Sequence, residues 1–293
     1  MEERIDFRDQ ISKNKIKSFI LMIFIFGIIV LLGYAISFAF TPGYFFIIMI
    51  IAIIFSLFYV TINYYNSDKI ALASVGAKEA DKIKHKQYYD IVESLTIASG
   101  LPLPKLYIMP SPQINAFASG RDPKHAVVCV TQGSLDKLEK KELEGVLAHE
   151  MSHVANYDIR YITFAAVMVG IISIISEIFL RSLWFKSSDR NDSKGSAIFM
   201  IIGIILAIIA PIIVYFVQLA ISRKREFTAD ASAVKFTRFP QGLISALKKI
   251  KDENQPEKRV PKAVAPLFFA NPFRNLAATH PPIEKRISVL ERM

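Results

Sequence analysis

Long apolar runs alternate along this chain with stretches of mixed polarity. Four of the runs come near or above the ~20 residues that a helix needs to cross a bilayer. These predicted spans are Phe19–Phe40, Tyr44–Val60, Tyr161–Leu180 and Ser196–Ile221. Only the short turn 41–43 separates the first two spans, so they are expected to form a tight helical hairpin. Pro211 is expected to kink the fourth.

Basic residues near the ends of these runs predict the orientation of the chain. Arg4, Arg8 and three lysines precede the first span, whereas the turn after it has no charge. Since short cytoplasmic segments are rich in Lys and Arg, the N-terminus is placed in the cytoplasm. The basic loop between the third and fourth spans runs against this rule, but Arg223–Arg225 again marks the inner side. We expect a multi-pass cell-membrane protein with lipid as its surroundings.

Composition supports the membrane assignment and excludes other classes. Hydrophobic residues make up 52% of the chain, and the net charge is +10. Because the basic residues flank apolar runs, we expect no nucleic-acid partner. Cys129 is the only cysteine, which excludes an intramolecular disulfide and favours a buried apolar role. Glu177 lies near the polar end of the third span, where pairing with Arg181 is the simpler alternative to a functional role.

Local patterns in the polar stretches predict a small sheet among helices. A helix over Tyr88–Ser99 is followed by three strands, Leu106–Met109, Ile114–Ala118 and Ala126–Val130. From Lys140 a helix is expected to run without a break into the third span. After the fourth span a helix is expected to end near Pro240, followed by an extended stretch over Asp252–Pro272 and a short helix from Pro282.

The pentapeptide His149-Glu150-Met151-Ser152-His153 has the spacing of a helical metal site. Residues four apart on a helix share one face, so both imidazoles can bind the same zinc ion. Glu150 is then positioned to act as a general base on a metal-bound water.

A catalytic zinc needs a third protein ligand. The extended pattern HExxHxxGxxH fails here, because Asn156 and Ile159 stand where its Gly and His would be. Glu226 is the best candidate, with Asp230 one turn later to support a ligand histidine; an ordinary solvated helix face is the alternative. Two predicted crossings separate His153 from Glu226, so the two residues can meet on one side of the membrane.

Three segments together resemble the signatures of the HtpX family of membrane zinc endopeptidases. They are residues 149–158 (HEMSHVANYD), 222–230 (SRKREFTAD) and 279–287 (THPPIEKRI). The segment Asn115–Ala118 resembles the family's substrate-side strand. The resemblance implies His149, His153 and Glu226 as ligands of one zinc ion per chain. It also implies that His280 lines the active site and stabilises the oxyanion, with Arg286 nearby.

The fold implied is a mainly α membrane protein with an α+β zincin-like protease domain. Its predicted segments are 1–66 (N-terminus and first hairpin), 67–160 (first protease part), 161–221 (second hairpin) and 222–293 (second protease part). The expected function is zinc-dependent endopeptidase activity at the cytoplasmic membrane face, in stress-related quality control of misfolded or damaged membrane proteins. The alternatives are a processing peptidase similar to CAAX prenyl proteases and a non-catalytic membrane scaffold with a vestigial metal motif.

Overall fold

The computed structural model describes residues 7–37, 45–166, 223–254, 260, 264–270, 272 and 281–293. The fourth predicted span and most of the third lie outside these residues, as do Glu177 and His280. The division of the chain into four segments therefore stays a prediction.

Two long helices begin the described chain, α1 (Phe7–Ser37) and α2 (Phe45–Ser74). They pack together, with the hydroxyl of Ser56 donating to the carbonyl of Phe26 at 3.2 Å. Within the described part of the chain, α2 is the one helix long and apolar enough to cross a membrane. Its large apolar side chains point outward: Phe46, Ile50, Ile54 and Phe58 are all more than half exposed. Such a surface is stable against lipid and not against water.

A four-stranded sheet follows α2, formed by β1 (Lys78–Glu79), β2 (Lys105–Met109), β3 (Ala116–Ser119) and β4 (Val127–Thr131). The strand order is β1-β2-β4-β3, with β2 parallel to β4 and β3 antiparallel to it. The three predicted strands are confirmed, and β1 is an addition. β3 lies at one edge of the sheet.

Both faces of this sheet are covered, which explains why β3 and β4 are buried at every position. Side chains such as Val128 and Val130 pack in a core shared with α3 (Lys86–Ser99) and the later helices. The alternate side chains, including Phe117 and Cys129, pack against the end of α2 at Ala71. The first part of α2 therefore exposes apolar side chains suited to lipid, and its last part is buried in the core beneath the sheet.

Further helices in the described residues are α4 (Gln132–Lys137), α5 (Lys140–Ala155), α6 (Arg223–Thr237), α7 (Pro240–Glu253) and α8 (Ile283–Leu290). α5 is central and almost wholly buried. It approaches α7 closely at Gly145, where an added Cβ would lie 2.6 Å from the backbone nitrogen of Leu243. The prediction that α6 ends near Pro240 is confirmed, and so is the short final helix. α4 and α7 were not predicted.

The prediction of one unbroken helix from Lys140 into the third span is wrong. α5 ends at Ala155, Tyr157 adopts a left-handed φ of 58°, and helical structure resumes over 158–166. On a continuous helix Asp158 would point roughly 140° away from His153. The break instead directs the Asp158 carboxylate back to the His153 ring, 3.0 Å away. This hydrogen bond offsets the ~1–2 kcal/mol that a left-handed non-glycine residue costs.

Candidate metal centre

α5 presents the two motif histidines side by side on its buried face. The Nε2 atoms of His149 and His153 lie 3.1 Å apart, and the rings are nearly perpendicular. His149 is completely buried and His153 is 8% exposed. This is the arrangement that the four-residue spacing predicts.

α6 brings Glu226 to the same point. Its carboxylate oxygens lie 3.6 Å from Nε2 of His149 and 3.5 Å from Nε2 of His153. The potential ligand atoms of the three residues all lie within 4.8 Å of one another. The structure therefore brings together the three residues predicted as ligands, and they could hold a metal ion.

The buried carboxylate of Asp230 supports His149 at Nδ1 of its ring, as the sequence predicted. Its Oδ1 accepts from Nδ1 of His149 at 2.9 Å. Arg286 donates to both oxygens of Asp230, from Nε at 2.9 Å and from Nη2 at 2.6 Å. Burial alone would raise the pKa of Asp230, but the charge of Arg286 and the bond from His149 lower it. Arg286 thus lies near the site, as the resemblance implied, and acts on the carboxylate behind His149.

Asp158 supports His153 in the same way, a role that the sequence reasoning missed. Its Oδ2 accepts from Nδ1 of His153, and its Oδ1 accepts from the Asn14 amide at 2.7 Å. Burial opposes the charged form of His153, yet Asp158 and Glu226 raise the pKa of this metal-free imidazole to about 9. Asn156, directly after the last residue of α5, was the available signal for a break, because asparagine is common at helix ends.

Glu150 points into a small cavity beside the two histidines. The cavity is lined by Ala118, His149, Glu150, His153, Ile159, Ile162, Glu226, Leu267, Phe268 and Phe269. Glu150 is 2% exposed, and Ala118 on β3 lines the cavity beside it. Burial raises the pKa of its carboxyl group above the ordinary value. A carboxylate so placed can exchange protons with a molecule in the cavity.

The outer edge of β3 is partly occupied by the chain itself. The backbone N–H of Phe269 donates to the carbonyl of Ala116 at 2.8 Å, and Phe268 forms an antiparallel bridge with Phe117. The side-chain amide of Asn115 holds this segment by bonding both backbone groups of Ala270. The predicted substrate-side strand therefore lies next to the cavity at Ala118. Its Ala116 and Phe117 are already paired with Phe269 and Phe268.

Comparison with known proteins agrees with this geometry. Residues 82–293 match the model of peptidase family M48. A protease HtpX homolog of Caldanaerobacter subterraneus subsp. tengcongensis is 46% identical over 270 residues, covering 87% of this chain and 90% of the relative. That of Dictyoglomus thermophilum is 44% identical over 294 residues, covering 98% and 95%.

The chain belongs to the HtpX family of M48 peptidases. HtpX membership makes it a membrane-associated metalloendopeptidase, so the predicted family and enzyme class are confirmed. The crystal structure of S. mikatae Ste24p is also similar, with a TM-score of 0.51 and 20% identity, over 97% of this chain and 67% of that one. At this identity the likeness shows a shared fold only.

Proposed function

We propose that the chain hydrolyses peptide bonds with one zinc ion bound by His149, His153 and Glu226, and with Glu150 as general base. The convergence of these three ligand groups at one point is the observation that supports the proposal. Both histidines also have a buried carboxylate on the opposite ring nitrogen. Such carboxylates are typical of histidines that bind metals, because they fix the ring and its tautomer.

The spacing of the donor atoms fits zinc. Tetrahedral ligands at the usual Zn–N distance of about 2.0–2.1 Å lie roughly 3.3 Å from one another. The two Nε2 atoms are 3.1 Å apart, and the Glu226 oxygens lie 3.5 and 3.6 Å from them. Two imidazoles and one carboxylate, with a fourth position for water, form the donor set of a catalytic zinc site.

The residues around the metal position divide the chemistry between them. A zinc ion bound there supplies Lewis-acid polarisation of water and of the scissile carbonyl. Glu150 takes a proton from the attacking water and returns it to the leaving amine nitrogen. Burial raises the pKa of its carboxyl group, which favours holding the proton between the two transfers. Asp230 and Asp158 keep the ligand rings in place during these steps.

Two further assignments depend on the family resemblance. His280 is proposed to stabilise the oxyanion of the tetrahedral intermediate. The proposed substrates are misfolded or damaged membrane proteins, cut at the cytoplasmic face of a multi-pass enzyme. The continuous helix α2 supports a site near the membrane: Ile62 is 40% exposed, whereas Ala71, roughly 14 Å further along the helix, is buried beneath the sheet.

The deciding experiment measures zinc content and cleavage of an unfolded protein such as casein, using protein purified in detergent. Glu150→Gln should retain one equivalent of zinc and lose roughly 10²–10⁴-fold in rate. Glu226→Gln should lose zinc. Glu144→Gln is the matched control and should keep both properties, since Glu144 is a partly buried glutamate on the same helix that pairs with Lys141 and does not line the cavity. Full activity in Glu150→Gln would disprove the general-base assignment. Less than about half an equivalent of zinc in the loaded wild type would disprove the metal assignment.

A further inference from the structure

Asn14 on α1 is a buried amide that contacts the region behind the metal site. It lies five residues before the predicted first span and is 2% exposed. Its Nδ2 donates to the backbone carbonyl of Asn156 at 3.1 Å and to Oδ1 of Asp158 at 2.7 Å. Its Oδ1 accepts from Nη1 of Arg225 at 3.5 Å. These partners lie 142, 144 and 211 residues away along the chain.

The hydrogen-bonding capacity of this amide matches its surroundings. Both N–H groups meet oxygen acceptors, and the oxygen meets a guanidinium. Rotating the amide by 180° would set its oxygen against the Asn156 carbonyl and the Asp158 carboxylate, and its NH₂ against Arg225. The environment therefore specifies one orientation, and a shorter or apolar side chain would leave buried polar groups without a partner.

Two of the three partners of Asn14, Asp158 and Arg225, adjoin proposed metal ligands. Asp158 uses its second oxygen to hold Nδ1 of His153. Arg225 immediately precedes Glu226, and its Nη1 lies 3.8 Å from Oδ1 of Asp158. Asn14 is therefore two hydrogen bonds away from Nδ1 of the His153 ring, although it belongs to the N-terminal helix.

We propose that Asn14 is a positioning residue of the metal centre, through which the N-terminal helix fixes Asp158 and thereby the His153 ring. The inference rests on the proposed metal site. It makes α1, which contains the first predicted span, a component of the metal site. Displacement of α1 would loosen one of the three ligands.

The test is a double-mutant cycle on zinc affinity, measured by competition with a chelator. Asn14→Ala is expected to weaken zinc binding by about 10-fold, the lower end of the range for residues that support metal ligands. Asp158→Ala should weaken it further. If Asn14 acts through Asp158, adding Asn14→Ala to Asp158→Ala should cause little additional loss. The cobalt-substituted enzyme should show an altered visible spectrum in each single variant.

Ser18→Ala is the matched control, since Ser18 is buried one turn along α1 and its hydroxyl bonds the carbonyl of Asn14 within the helix. It should leave zinc affinity unchanged. Asn14→Leu preserves the buried volume, so it replaces Asn14→Ala if that variant folds poorly. Unchanged affinity in the Asn14 variants, or fully additive losses with Asp158→Ala, would overturn the inference. A wild type without zinc would overturn the metal assignment itself.

Discussion

The buried pair of Arg286 and Asp230 allows a quantitative prediction. The Arg286 side chain is 1% exposed and Asp230 is fully buried, and two hydrogen bonds of 2.9 and 2.6 Å join them. Arg286→Met keeps much of the side-chain volume and leaves the Asp230 carboxylate as a buried charge without its cation. Breaking a buried pair in this way costs about 3–5 kcal/mol. We expect that loss in the unfolding free energy of the zinc-free protein.

Removing the carboxylate charge as well should reverse most of this loss. In Arg286→Met with Asp230→Asn, the amide oxygen can still accept from His149, and position 230 no longer carries a charge without its cation. The double variant should therefore be more stable than Arg286→Met alone. Its zinc affinity should nevertheless stay roughly 10–100-fold below that of wild type, because a neutral amide replaces the carboxylate behind a ligand histidine.

Denaturant unfolding in detergent measures the first effect, and chelator competition measures the second. Lys249→Met is the control, since Lys249 also forms a 2.7 Å ion pair, with Glu142, but its side chain is 32% exposed. That variant should lose about 1 kcal/mol or less. A double variant no more stable than Arg286→Met would refute the reasoning, because the loss would then come from packing and not from the orphaned charge.

Two further predictions concern packing. Gly145→Ala should destabilise the protein by about 1–2 kcal/mol in the same unfolding assay. The added Cβ would meet the backbone of Leu243, and this overpacking outweighs the gain in helix propensity. Gly27→Ala is the control and should show no loss of stability, because no atom lies within 4 Å of its added Cβ. Equal stability of both variants would contradict the close approach. Cys129 is 1% exposed, and burial raises the pKa of its thiol. A maleimide should therefore label it only after denaturation. Rapid labelling of the folded protein would contradict its burial.

The sequence predicts those features whose cause is local. The four-residue spacing of His149 and His153 determines their shared face, and runs of Val between turn residues predict β4. Glu226 was predicted from its one-turn spacing from Asp230, and the count of predicted membrane crossings placed it on the same side as His153. The structure brings its carboxylate to the two histidines. α7 was not predicted, although Leu243 and Leu247 have helical spacing and are both buried.

The remaining features depend on contacts between distant parts of the chain. The break after α5 uses a tyrosine in the left-handed conformation, where glycine or asparagine is the usual signal. The role of Asp158 follows from that break, so it could not be found by helical spacing. The bond from Asn14 joins residues 144 positions apart, and no local pattern encodes such a pairing.

The pairing of β3 with Phe268 and Phe269 also affects how neighbouring molecules meet. An open strand edge is a template on which other chains can add and aggregate. Here one edge is already paired at Ala116, and the opposite edge is β1, which is two residues long and bears Lys78 and Glu79. Crowded copies in a membrane are thus protected from joining edge to edge. Within the described residues, the part of β3 after Phe117 stays open to an incoming peptide, and Ala118 there lines the cavity beside Glu150.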